Sequence, residues 1–292
     1  MRDGVAAGAA GTIALGDLTV NRLGFGAMQL TGDGVWGPPR DRDGALAVLR
    51  RAVALGVTLI DTADSYGPHV DEELIAQALY PYPAGVVIAT KAGWDRPGPG
   101  RWVPNGRPEH LRTAVDGSLR RLRLERIDLL QYHTPDPNVP FEESFGTLAE
   151  LQRAGKIRHL GVSNVDLDQL ERARRIAPVV SVQNRLAADG SDDDEERDVL
   201  ARCERDGIAY LPWAPLANGR LRSETLARVA AAHAATLNQT ALAYLLRRSP
   251  VIAPIPGTSS VAHLEENVGA AALAVELTAD ELELLGVTTG RC

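Results

Sequence analysis

One unit recurs along the chain: a short apolar run, a polar loop, then an alanine- and leucine-rich amphipathic stretch. The apolar runs fall at 23–28, 57–61, 85–91, 126–133, 157–163, 179–183, 208–213 and 251–256. The amphipathic stretches lie near 43–54, 71–79, 108–122, 141–154, 166–176, 192–206 and 239–248, with further ones near 223–235, 261–272 and 278–285. Strands that alternate with helices imply a parallel sheet. The runs are mostly apolar rather than alternating, which predicts that both sheet faces are covered. Eight such units in 292 residues favour a closed α/β (β/α)8 TIM barrel over an open doubly wound sheet. No G-x-G-x-x-G opens the first helix, which counts further against a dinucleotide-binding open sheet. A hairpin (TIAL, GD, LTV) precedes the first unit. The small residues of 1–11 predict a disordered tail. With no linker or composition break, 12–292 is expected to form a single domain.

Composition bounds the function. Hydrophobic residues make up 45% and charged residues 24%, which suits a soluble globular protein. A net charge of −7 is a poor match for nucleic acid or an anionic membrane, so neither is an expected partner. The two cysteines, Cys203 and Cys292, form no disulfide framework, and no apolar run approaches the roughly 18 residues of a membrane span. A cytoplasmic monomer is the expectation. The histidines show neither H-x-H nor H-E-x-x-H spacing, so no metal site is expected.

In such a barrel, chemistry belongs at the C-terminal ends of the strands, and here those ends are polar. The second strand stops on Asp61, the third on Lys91 and the fourth on His133; Ser163–Asn164, Gln183–Asn184 and Trp213 end the fifth to seventh, and Tyr66 follows Asp61 in the loop. Singly, each has a plain reading: Asp61 as a helix cap or turn residue, Tyr66 as rim packing, Lys91 as a solvated charge, His133 as a structural hydrogen bonder. Neighbouring strands lie about 4.8 Å apart, however, which predicts that Asp61, Tyr66, Lys91 and His133 crowd one mouth. A phenol titrates near 10; an adjacent ammonium would lower that value, a carboxylate would hold the ammonium, and an imidazole could orient a substrate oxygen. The set suits proton delivery to a carbonyl oxygen as the carbon receives hydride. No side chain donates hydride, so a nicotinamide is required. Ser163, Asn164 and Gln183 offer partners for a carboxamide, and Trp213 a face for stacking. Gly257, Thr258, Ser259 and Ser260 precede a helix and read either as an anion site or as a plain N-cap. Trp36, Trp94 and Trp102 lie in loops on the same face, as an aromatic substrate pocket or as packing within the glycine- and proline-rich loop 92–107.

The motifs LIDTADSYG, IATKAG, DLLQYH, GVSN, VQN, WAPLANG and IPGTSSVAHLEEN resemble, in order and spacing, those of the aldo-keto reductases over residues 12–286. The resemblance implies a barrel that binds NADP(H) and reduces small-molecule aldehydes or ketones. It implies a catalytic set of Asp61, Tyr66, Lys91 and His133, with Tyr66 as proton donor. It places the nicotinamide against Ser163, Asn164, Gln183 and Trp213. The pyrophosphate and adenosine end falls to Leu216, Gly219, Thr258, Ser259, Glu266 and Asn267. Where many relatives carry Lys and Arg for the 2′-phosphate, this chain has Gly257 and His263, leaving that contact to the hydroxyls with His263 or Arg220. The stretches NRLGFGAMQLTGDGVWGPPRDRDGALAVLRRAVALGV and YGPHVDEELIAQALYPY are similar to a bacterial branch that includes pyridoxal reductases, which implies pyridoxal as substrate. A Schiff-base aldolase using Lys91, and a non-catalytic cofactor-binding regulator, are the alternative functions.

Overall fold

A computed structural model of the chain describes residues 6–188, 190 and 192–287. Seven parallel strands form one curled sheet, in spatial order β11 (Ala209–Tyr210), β10 (Val179–Gln183), β9 (Ile157–Ser163), β8 (Ile127–Tyr132), β5 (Val87–Ala92), β4 (Leu59–Asp61) and β3 (Phe25–Gly26). The helices between and after them are α1 (Arg42–Ala54), α2 (Val70–Leu79), α3 (Pro108–Leu122), α4 (Phe141–Arg153), α5 (Leu167–Ile176), α6 (Asp194–Asp206), α7 (Glu224–Ala232), α8 (Leu237–Arg248), α9 (Val261–Glu276) and α10 (Ala279–Leu284).

The eighth run, 251–256, closes the ring without becoming a strand. On one side Tyr210 N donates to Val251 O and Ala253 N to Tyr210 O, both at 2.8 Å; on the other, Gly24 N and Gly26 N donate to Pro254 O (3.0 Å) and Pro256 O (3.2 Å). Pro254 and Pro256 have no N–H to return, so the second ladder runs one way only. The closure is tight: a Cβ on Gly257 would stand 2.6 Å from Gly26 O, and one on Gly26 would stand 2.6 Å from Ile255 O. The expected first strand, 23–28, is shorter, because Ala27–Leu30 turns into a 3-10 helix. The seventh, expected at 208–213, narrows to Ala209–Tyr210, although Leu211 N and Trp213 N still donate to Val182 O and Asn184 O.

The hairpin β1 (Thr12–Leu15) and β2 (Leu18–Asn21) pairs as expected. It plugs the lower mouth with Leu15 and Val20 against the inward Leu59, Val87, Leu129 and Ala209. Asp17 at its turn is gripped by Arg158 at 2.6 Å; that bond, with His159, holds the carboxyl below its usual range. The expected disordered tail is corrected in part. Residues 1–5 lie outside the described residues, but Ala7–Ala10 forms a 3-10 turn with Ala7 buried and its N–H bound to Leu55 O at 2.8 Å. Its methyl side chains let it seat closely against the α1 and α9 side of the core. Among the described residues, no helix is long and apolar enough to cross a membrane.

The expected lid also has structure. Within 92–107, β6 (Trp94–Gly98) pairs antiparallel with β7 (Arg101–Pro104), with Gly98 opposite Arg101 across Pro99–Gly100. Gly100 takes φ +64°, a left-handed turn position that favours glycine.

Candidate active site

Period-two alternation places a second inward layer, wholly polar, above a first layer that is apolar but for Ser181. Above Leu59, Ala89, Leu129 and Ser181 stand Asp61, Lys91, Gln131 and Gln183, all buried. The Lys91 ammonium donates to Asp61 Oδ2 at 2.6 Å, to the Thr62 carbonyl at 2.7 Å and to the Tyr66 hydroxyl at 3.3 Å. Asp61 Oδ1 accepts from Gln183 Nε2 at 2.8 Å and Gln131 Nε2 at 3.2 Å. Its charge is therefore compensated on both oxygens, as a buried ion pair requires. A full row of acceptors keeps Lys91 protonated: burial opposes its charge, but Asp61 and Tyr66 outweigh burial and raise its pKa. Asp71 accepts from the Thr62 hydroxyl at 2.7 Å, which fixes the residue whose carbonyl holds Lys91. Burial pushes the Asp71 carboxyl well above the usual range.

Tyr66 is held over this pair by the loop that follows β4, where Asp64 N donates to Lys91 O at 3.2 Å and Tyr66 N to Ala63 O at 3.2 Å. Burial raises the Tyr66 pKa; Lys91 pulls the phenol down, as the sequence implies, but burial acts more strongly. Tyr66 thus holds its proton at neutral pH, and Lys91 stands ready to stabilise the phenolate left by its loss. His133 stacks edge-on to Tyr66 with ring centres 5.8 Å apart. Burial first, then the charges of Lys91 and Arg96, drive its pKa well below 6.5, so the ring is neutral at pH 7. Ser65 Oγ lies 3.4 Å from His133 Nδ1. With Nδ1 accepting from that hydroxyl, Nε2–H is the free donor.

A cavity of about 700 Å³ opens above these groups. Its lining takes in Asp61, Tyr66 and His133, but Lys91 lies behind Tyr66 and outside it. Ser163, Asn164, Gln183 and Trp213 line it together. Asn164, at φ 55°, donates through Nδ2 to His133 O at 2.9 Å and accepts the Trp213 indole N–H at 3.0 Å, so the indole is pinned by its edge and its face is left for stacking. Ser163 Oγ donates to Gln183 O at 2.7 Å. Leu216 and Gly219, in the loop after β11, line the far part together with Gly257, Thr258, His263, Glu266 and Asn267, which lie before and along the first turns of α9. Trp94 and Trp102 line the near part, with Trp102 edge-on to Tyr66 at 6.3 Å.

Two expected site residues fall elsewhere. Ser259 is exposed and off the cavity, because Thr258 turns inward and accepts Ser260 N at 3.1 Å, while Ser260 caps α9 through His263 N. Trp36 lies to one side, bridged to Gly67 and held under the Arg96 guanidinium at 5.7 Å. The sequence reading also missed lining residues Met28, Gln29, Asn218 and Asn238, and Gln131 beneath them. Gln131 was open to detection, since it stands two residues before His133 and so shares its strand face. Among the described residues, no group of three or more His, Cys, Asp or Glu is placed to hold a metal.

The donor set fits a dinucleotide. It combines the Thr258 hydroxyl, just before a helix start, for phosphates, an edge-pinned indole for a flat ring, and amide side chains between them. The family described as the aldo/keto reductase family matches residues 22–286. The chain is 49% identical to pyridoxine 4-dehydrogenase of Escherichia coli over 266 residues, covering 89% of this chain and 92% of that one. It is 48% identical to an uncharacterized oxidoreductase of Schizosaccharomyces pombe over 271 residues, covering 92% and 87%. An aldo/keto reductase from Klebsiella pneumoniae, solved with NADP and acetate, superposes with a TM-score of 0.75 at 26% identity, covering 91% of this chain and 90% of that one. The chain therefore belongs to the aldo/keto reductase family.

Proposed function

We propose that this protein reduces aldehydes or ketones to alcohols with NADPH, with Tyr66 as proton donor and pyridoxal, yielding pyridoxine, as the leading substrate. The observation that carries the reading is the Tyr66 hydroxyl at the cavity floor, backed by the Lys91 ammonium at 3.3 Å and flanked by His133. NADPH, when bound, supplies the hydride that adds to the carbonyl carbon. Tyr66 gives its proton to the carbonyl oxygen as charge develops there. Lys91 stabilises the resulting phenolate, held in register by Asp61 and Thr62 O. His133, neutral, donates from Nε2 to the same oxygen and orients it. A solvent proton then restores Tyr66. Trp213, Ser163, Asn164 and Gln183 would hold the nicotinamide, and Thr258 and His263 the phosphates at the adenosine end. The similarity to pyridoxine 4-dehydrogenase supports the choice of pyridoxal.

The aldolase alternative asks for an unpaired, nucleophilic lysine. Lys91 has three acceptors and lies outside the cavity lining, which disfavours it. Initial rates with NADPH and NADH against pyridoxal, benzaldehyde and methylglyoxal test the proposal. Turnover of pyridoxal with NADPH is expected; tight NADPH binding with no turnover of any carbonyl would favour the regulator instead.

A further inference from the structure

One cation near the cavity donates to no catalytic side chain; it bears on the chemistry above through a charge effect on His133 that ranks behind burial and Lys91. Arg96, on β6, reaches three separate segments through backbone carbonyls. Nη1 donates to Ser65 O at 2.7 Å, Nη2 to Gly34 O at 3.0 Å and Nε to Arg101 O at 3.0 Å. Its guanidinium carbon sits 3.6 Å from the centre of the Trp102 ring. Trp102 in turn meets Tyr66 edge-on at 6.3 Å and Trp94 at 5.8 Å, and Trp94 meets His133 at 6.2 Å. One guanidinium thus joins the loop bearing Tyr66, the loop after β3 and the β6–β7 hairpin. It also presses the hairpin's tryptophan toward the proton donor. Only a planar fork with divergent donors serves three carbonyls and a ring face at once.

Resting on the carbonyl-reductase reading, we propose that Arg96 is a positioning residue that fixes the Trp94–Trp102 wall and thereby makes the pocket selective for planar aromatic aldehydes over small aliphatic ones. A flat ring gains its affinity from an aromatic wall held in place; a three-carbon aldehyde touches little of that wall, so it gains little from its order. The wall lies on the substrate side of Tyr66, whereas the ammonium that supports Tyr66 lies behind it. Disordering the wall should therefore weaken binding of the ring and leave the proton donor in place.

The test compares the wild type with Arg96→Met and Arg96→Lys, using pyridoxal and propanal at saturating NADPH. Arg96→Met is expected to raise KM for pyridoxal about tenfold or more, while kcat with pyridoxal and KM for propanal stay within about threefold. Arg96→Lys keeps the charge but not the fork, and is expected to raise the pyridoxal-to-propanal KM ratio at least about threefold. Trp102 fluorescence should shift in both variants, with NADPH affinity unchanged. Parallel movement of both KM values would mark Arg96 as a mere anchor of the hairpin and overturn the proposal, as would an unmoved ratio. If Arg96→Met fails to fold, the ratio in Arg96→Lys decides alone. A wild type that reduces neither aldehyde with NADPH would bring down the reading of the site, and this proposal with it, before any variant is made.

Discussion

At the lower mouth of the barrel, β1–β2 presses Leu15 and Val20 onto Leu59, Val87 and Leu129. At the upper mouth, higher on the same strands, Asp61, Lys91, Gln131 and Gln183 take the inward positions. The lower layer has a simple account. Burying a leucine contributes about 1.5–3 kcal/mol, and a hairpin is a cheap way to cover an open barrel end. The upper layer has no such account. Removing an ammonium and a carboxylate from water costs several kcal/mol each, and a well-packed apolar replacement is often as stable or more so. Asp64 and Asp71 add to the cost, since burial raises the pKa of both carboxyls well above their usual range. The barrel thus gathers stability at one end and concentrates costly polar groups at the other, at and beneath the cavity.

That contrast can be broken by exchanging its ends. Tyr66→Phe is expected to lower the rate of pyridoxal reduction by about 10³-fold, with NADPH affinity and thermal stability nearly unchanged. Leu15→Ala should do the converse: a loss of about 2–4 kcal/mol of stability with kcat within about twofold of wild type. Denaturant melts and single-turnover rates on the same preparations would read both. A Tyr66→Phe enzyme with full rate, or a Leu15→Ala enzyme that is stable but slow, would erase the distinction.

A smaller effect sharpens the comparison through pH. His133 has a folded pKa well below its unfolded value near 6.5. Below 6.5 the unfolded chain therefore takes up a proton that the folded chain refuses. Its contribution to stability is present above pH 6.5 and is lost as the pH falls. Between pH 7 and 5 this amounts to up to about 2 kcal/mol. His133→Gln should be less acid-sensitive than wild type by that margin in urea melts at the two pH values; equal slopes would mean His133 charges freely in the folded state. Over the same range the reduction rate above pH 6 is expected to stay flat, because His133 is already neutral and Tyr66, with its pKa raised, still holds its proton.

Much of the site was legible because strand ends are fixed points. Asp61, Lys91 and His133 each close an apolar run, so their meeting followed from sheet geometry alone. Tyr66 followed because its loop is only a few residues long. Orientation within longer loops was not legible. Trp36 and Trp102 read alike in sequence, yet Arg96 draws one aside and seats the other over Tyr66. Thr258 and Ser259 differ only in which of two adjacent hydroxyls turns inward. The apolar pattern of 251–256 predicts a strand, but its two prolines limit it to accepting hydrogen bonds on the edge toward Gly24 and Gly26. The hairpin in 92–107 hid behind its Pro-Gly content, although Trp94 to Arg96 and Arg101 to Val103 carry strand-like residues around a turn. Small residues serve close packing as readily as flexibility, as buried Ala7 shows, so composition alone does not decide the conformation of such a tail.

On the proposed mechanism, the polar upper layer presents the Tyr66 hydroxyl to a carbonyl oxygen. A crystal structure with NADP and a bound carbonyl ligand tests it most directly. The ligand oxygen is expected about 2.6–3.2 Å from Tyr66 Oη, with His133 on the same oxygen and the carbonyl carbon facing the nicotinamide. A ligand oxygen bound away from Tyr66, with the hydroxyl still turned only toward Lys91, would contradict it.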